Sequence, residues 1–344
     1  MVLISLLAIL LGYFDPITPS LGPSSSPRPA SLYRLLHPTR FSPPASEYPT
    51  SFSRDIRPLP LHSHNDYWRA IPLYTALSCG CISVEADIWS FPSLSLSPSD
   101  LLVGHSPASL IPTRTLNSLY IDPLVGILES MNPDTPFTTS TGPTRNGVFD
   151  TDAEQTLVLL IDLKPPIANF SSILPHLLHA LEPLRQRDWL TIYKDSQLIP
   201  GPVTVVLTGN APPPPIPHPP GRPDKTTELF LDAPLGSLAN SPTYNSSNAY
   251  FASTSLVDSV GPIHNGTLND TQVDVVRAEV GKAHARGLKV RYWGVPEWGP
   301  GVFKEDRGVW AILGRELDVK PGGDVLSVDD LEGFKIWGGL HAWA

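Results

Sequence analysis

The sequence predicts an α/β fold of the TIM type, a (β/α)8 barrel with room for distortion, from three observations. Eight short segments rich in β-branched and apolar residues recur from Leu59 onward, helical stretches separate several of them, and no G-x-G-x-x-G turn follows the first. The first two are the sequence form of repeated βαβ units, and the third lowers a doubly wound dinucleotide sheet. A length of 344 residues suits one such barrel.

The predicted strands are Leu59–His64, Ile82–Trp89, Thr156–Lys164, Pro202–Thr208, Glu228–Asp232, Ala249–Ser255, Leu288–Gly294 and Val325–Val328. Between them, Ala168–Arg187 carries Leu174, Leu177, Leu178 and Leu181 on one helical face. Thr271–Arg286 spaces Val273, Val276 and Val280 helically, with Asn269 or Asp270 as cap and Gly287 as stop. Val309–Leu317 is a shorter helix. Two inserts interrupt the alternation: a polar excursion over Asn132–Asp152, and Ala211–Pro223, whose run of prolines cannot be an interior strand.

Ahead of the barrel, Met1–Phe14 is an apolar run of signal-peptide length, here read as a signal peptide or N-terminal anchor over residues 1–20. Residues 21–57 form a Pro/Ser-rich lead-in, and 58–344 the barrel domain. Sequons at Asn169, Asn245, Asn265 and Asn269 agree with passage through the secretory pathway. Cys79 and Cys81 are too close in sequence to bridge without strain and read as two small buried residues. A net charge of -9 argues against a nucleic-acid partner, which needs surplus Lys and Arg.

The chemistry concentrates in four places. In Val84-Glu85-Ala86-Asp87-Ile88 the alternation of a strand puts both acids on one face, where they repel unless a cation lies between them; a divalent ion with oxygen ligands, or a salt bridge to Lys or Arg, would serve. Leu160-Ile161-Asp162-Leu163-Lys164 ends another strand in an acid and a base sharing a face. His62-Ser63-His64 closes the first strand, and His105 follows the apolar stretch Leu101–Gly104. Two imidazoles suit a reaction that takes one proton from a nucleophile and gives another to a leaving oxygen.

Taken in order, His62-Ser-His-Asn-Asp-Tyr-Trp-Arg69, Val84-Glu-Ala-Asp-Ile-Trp89, Leu102-Val-Gly-His105, Leu119-Tyr-Ile-Asp-Pro-Leu124, Leu160-Ile-Asp-Leu-Lys164 and Arg291-Tyr-Trp-Gly-Val-Pro-Glu297 resemble the phospholipase-C-like phosphodiesterases. That superfamily includes glycerophosphodiester phosphodiesterases and sphingomyelinase D. Within it the chain is most similar to the altered inheritance of mitochondria protein 6 family. The resemblance implies a metal-dependent phosphoric diester hydrolase. His64 and His105 would be its acid/base pair, and Glu85, Asp87 and Asp162 would ligate a divalent cation, with magnesium the expected ion. Lys164 would act on the substrate phosphate, and Trp293 would form a wall of the substrate site. His62 and His64 share one face of the strand, so either could point inward; His64 is favoured because Asn-Asp-Tyr follows it, which makes His62 a supporting candidate. His64-Asn65-Asp66 departs from the His-Arg-Gly of glycerophosphodiester phosphodiesterases, and Asp162-Leu-Lys164 is nearer the sphingomyelinase D form; both leave the headgroup open.

The expected partner is a small-molecule or lipid phosphodiester, with transient membrane contact and a monomeric state. Two other readings compete. A glycosidase would use two carboxylates, but Glu85 and Asp87 face the same way from one strand, roughly 7 Å apart along the backbone. A barrel that has lost catalysis and serves as a binding protein is the other. Asp329-Asp330, near the last strand, reads as a solvated loop, with a place lining the mouth as the weaker alternative; Trp298, Trp310, Trp337 and Trp343 read as packing or surface residues rather than a lipid-binding stripe; His176, His179 and His284 read as surface positions on helices.

Overall fold

A computed structural model describes residues 53–91, 101–136, 145–217, 226–296, 308–320 and 322–331. The N-terminal segment over residues 1–20, nearly all of the lead-in, and Trp298, Trp337 and Trp343 lie outside the described residues.

The strands are β1 (Leu59–Ser63), β2 (Cys81–Trp89), β3 (Leu102–Val103), β4 (Leu157–Leu163), β5 (Ile192–Lys194), β6 (Gln197–Ile199), β7 (Val203–Gly209), β8 (Leu229–Pro234), β9 (Ala249–Ser255), β10 (Lys289–Trp293) and β11 (Val325–Val328). Eight of them close a parallel barrel in the order β1-β2-β4-β7-β8-β9-β10-β11, and β11 pairs back to β1. These are the eight segments expected, each shifted by no more than two residues at either end. Their near-continuous apolar runs are buried on both faces, as parallel strands covered by helices require. The short β3 adds antiparallel to β2, and β5–β6 form a separate hairpin.

The helices are α1 (Tyr74–Ser78), α2 (Asp122–Met131), α3 (Phe170–Ala180), α4 (Glu182–Arg185), α5 (Leu256–Val260), α6 (Asp270–His284) and α7 (Val309–Glu316). The long helix expected over Ala168–Arg187 is broken in two. Pro183 has no N–H to continue the ladder, and it sits in the first turn of α4, where none is needed. α6 begins as expected: Asn269 accepts from Gln272 N, and Gln272 Oε1 accepts from Asn269 N, each at 3.0 Å. Between β7 and β8 the described residues hold no helix; 211–217 is irregular, and 218–225 lies outside the description. Cys79 and Cys81 are free thiols.

Register places the chemistry. Asp87 on β2, Asp162 on β4 and Thr208 on β7 are successive partners across the sheet, so they stand at one level around the barrel. All three lie within two residues of the C-terminal ends of their strands, the end at which barrels gather functional side chains.

Candidate active site

At that end three acids converge. One carboxylate oxygen from each of Glu85, Asp87 and Asp162 lies within 4.8 Å of the others. Glu85 and Asp87 are buried and Asp162 is partly so. Lys164 Nζ bridges the pair below it, 2.8 Å from Asp87 Oδ2 and 2.8 Å from Asp162 Oδ2. The other oxygen, Asp87 Oδ1, is buried without a hydrogen-bond partner among the described residues. Such an orphaned acceptor costs about 1–3 kcal/mol, and a carboxylate acceptor more.

The electrostatics differ sharply between neighbours. Burial pushes the Asp87 carboxyl up to about 6, and the charges of Asp162 and Glu85 add to this against the pull of Lys164. Burial acts on Glu85 in the same sense, yet the hydrogen bond from His62 and the charges of Arg291, His62 and His64 overcome it and hold Glu85 well below the carboxylate range. Hard oxygen donors, an orphaned buried oxygen and a carboxyl raised by burial and by like charge are what a divalent cation would relieve. The residues present therefore fit the cation that the sequence suggested.

His62 is fully buried. Its Nδ1 lies 2.7 Å from Ser83 Oγ and its Nε2 lies 3.1 Å from Glu85 Oε2. A neutral ring accepting from the serine hydroxyl and donating to the carboxylate satisfies both contacts. Burial lowers its pKa to about 4, with the Glu85 hydrogen bond opposing. His62 thus braces Glu85 from the barrel interior.

The sign of the resulting pH dependence follows. A ring that titrates near 6.5 when unfolded and near 4 when folded gains its proton on unfolding, so it takes stability away as pH falls through that interval. The loss is about 1.4 kcal/mol per pH unit. Asp87, raised by burial, acts in the opposite sense over much of the same range. It is present in the parent and in a His62→Gln variant alike, so their difference isolates the histidine. Urea unfolding from pH 7 to 4.5 should show the parent's advantage over His62→Gln shrinking as pH falls.

His64 follows directly after β1. Its Nδ1 is 2.6 Å from Asp329 Oδ1, and its Nε2 is 3.8 Å from Glu85 Oε2. Burial would lower its pKa, but the Asp329 hydrogen bond and the charges of Glu85 and Asp329 outweigh it and raise it. Asp329 in turn is held below its ordinary value, first by that hydrogen bond. Asp329 is therefore a partner of the site, the weaker of the two readings the sequence offered for it; a contact spanning 265 residues has no local signal. Arg69 locks the joint by donating to the carbonyls of His64, Val328 and Asp329.

His105 reaches the cluster at Asp87. Its Nδ1 is 3.1 Å from Tyr67 Oη and 3.6 Å from Asp87 Oδ2, and just over half of its side chain is exposed. Tyr67 also donates to Asp87 Oδ2 at 2.7 Å. A phenol has one proton to give, and the carboxylate is its strongest acceptor; the imidazole Nδ1–H then donates to the phenol oxygen, leaving Nε2 free. Sequence reasoning quoted Tyr67 only within a motif and gave it no role. Asn65, in the left-handed conformation at φ 49°, turns the chain so that Tyr67 can point back into the mouth.

Trp293 ends β10 at the same end of the barrel, exposed, with no hydrogen bond or ring contact to the cluster among the described residues. Its expected place in a substrate wall thus rests on position alone. His284 is bonded to Asp324 at 2.9 Å, a partner the sequence did not reveal. Trp310 is buried packing.

One glycine holds the geometry. Gly209 has φ +67°, and a Cβ there would lie 2.0 Å from Asp162 Oδ1. Gly209→Ala should cost about 1–3 kcal/mol from the backbone alone, and should also push Asp162 out of the cluster. Urea denaturation and cation titration of the same variant would register both losses.

The chain was compared with known proteins. The model of the AIM6-like phosphodiesterase domain matches residues 50–217, a span that contains both histidines, all three acids and Lys164. An altered inheritance of mitochondria protein 6 homolog from Arthroderma benhamiae is 40% identical over 302 residues, covering 85% of this chain and 88% of that protein. The Eremothecium gossypii protein of that name is 34% identical over 310 residues, or 84% of this chain and 72% of its own length. The Candida glabrata one is 32% identical over 304 residues, or 81% and 71%. No solved structure matches. With its two histidines, three acids and Lys164 inside the matched domain and its likeness to these proteins running through most of its length, the chain belongs to the altered inheritance of mitochondria protein 6 family.

Proposed function

We propose that this protein hydrolyses a lipid-derived or other small phosphodiester in a cation-dependent reaction, with His64 as general acid and His105 as general base. The observation that carries the reading is the approach of two imidazoles to one three-carboxylate cluster, one at Glu85 and the other at Asp87. His64, with its pKa raised and Asp329 on Nδ1, holds a proton that Nε2 can deliver to a leaving oxygen. His105, with Nδ1 engaged by Tyr67, presents Nε2 as the acceptor of the nucleophile's proton.

Glu85, Asp87 and Asp162 would hold the cation, and magnesium suits three oxygen donors. When bound, it supplies positive charge to the phosphoryl oxygens. Lys164, partly exposed at the edge of the cluster, adds a second cation for the same oxygens. A glycosidase reading is disfavoured by the ammonium set between Asp87 and Asp162, which ties them together where a scissile bond would need them apart. We also infer a secretory route, because the four sequon asparagines Asn169, Asn245, Asn265 and Asn269 are exposed.

The test is a product-resolved screen of phosphodiesters, followed by phosphorus NMR, with and without magnesium. The proposal expects a phosphomonoester or cyclic phosphate to appear only with the cation. Saturable ligand binding with no product under any cation would make the barrel a binding protein instead.

A further inference from the structure

Seven large apolar side chains are conspicuously exposed among the described residues: Trp68, Ile111, Ile167, Val257, Trp293, Leu198 and Ile199. Scattered singly they would need no account. Five of them are not scattered. Trp68 closes the turn after β1, and its ring centroid is 5.0 Å from that of His105. Ile111 belongs to the loop that carries His105, and Ile167 follows Lys164 by three residues. Val257 lies in the first turn of α5, directly after β9, and Trp293 is the last residue of β10. These five are between 39% and 60% exposed, and they come from five separate loops or strand ends associated with the catalytic end. Leu198 and Ile199 lie on the β6 hairpin, beside the start of β7 at the other end.

The charge on this face narrows the partner. Among the described residues at this end, the acids Glu85, Asp87, Asp162, Asp258 and Asp329 outnumber the bases Arg69, Arg114 and Lys164. Asp258 and Asp329 lie on the same loops, and the chain as a whole carries -9. The described residues of this face thus carry a net negative charge that opposes an anionic surface, whereas indole rings with aliphatic neighbours are suited to the headgroup layer of a neutral one. We propose that Trp68, Ile111, Ile167, Val257 and Trp293 form a docking rim that seats the barrel mouth on a zwitterionic lipid surface, so that the phosphodiester is taken from a lipid assembly. This rests on reading the mouth as a phosphodiester site.

The experiment compares the full-length parent with an Ile111→Ser/Ile167→Ser/Val257→Ser triple variant, which leaves Trp68 and Trp293 in place. Both retain residues 1–14, so only their difference is read. Pelleting with phosphatidylcholine vesicles should fall about tenfold or more in the variant, while turnover of a soluble chromogenic phosphodiester stays equal. Equal pelleting of the two proteins overturns the proposal. So does binding that tightens more than about tenfold when phosphatidylserine is added, or a concentration-dependent dimer in sedimentation velocity that the triple variant abolishes. If vesicle binding behaves as expected while every phosphodiester is inert, the docking rim stands and the phosphodiesterase reading falls.

Discussion

A His105→Ala variant should turn over a chromogenic phosphodiester about 10²–10⁴ times more slowly than the parent, with its urea midpoint nearly unchanged. Just over half of the ring is exposed, so its removal leaves no buried cavity. On an alkyl phosphodiester His64→Ala should lose a similar factor, and the two should part on leaving-group dependence. A substrate with a good leaving group needs little help from an acid, so His64→Ala should recover much of its rate on an activated phosphodiester. His105→Ala should not recover, because the nucleophile still has to lose its proton. Stopped-flow or steady-state rates on one alkyl and one nitrophenyl diester decide this. Equal loss on both substrates for both variants would contradict the division of labour between the rings.

Asp87→Asn should have the second large effect. It removes one of three charges that face a common point and leaves Lys164 with a single carboxylate partner. Magnesium affinity measured calorimetrically should drop by two orders of magnitude or more, on the order of the effect of losing a direct ligand. The parent itself should show proton competition. Because Asp87 titrates near 6, affinity should fall about tenfold per pH unit below that value, as one proton must leave for the cation to enter. The opposite slope, or none, would remove Asp87 from the ligand set.

How much of this could be read from the chain is clear from individual residues. All eight barrel strands were legible because each is an apolar run flanked by turn residues, and the pairing of Glu85 with Asp87 followed from alternation alone. That Asp162 stands level with Asp87 depended on register between two strands, which order in the chain suggests without determining. Tyr67 escaped notice because its importance is tertiary: nothing local says that one phenol touches both Asp87 and His105. For Asp329 the site was only the weaker reading, for the same reason at a far greater separation. The helix α2 is absent from the predicted elements, and its Pro123 sits in the first turn, where a proline is well tolerated. Local pattern therefore revealed the walls of the site and two of its faces. The contacts that tune its histidines are supplied by loops that meet only once the barrel closes.

The central claim is tested most directly by anomalous scattering from a manganese-soaked crystal. The account predicts one strong peak within about 2.0–2.6 Å of oxygens from Glu85, Asp87 and Asp162, between the rings of His64 and His105. A well-ordered mouth with no peak there, or a peak held by other side chains, would contradict it.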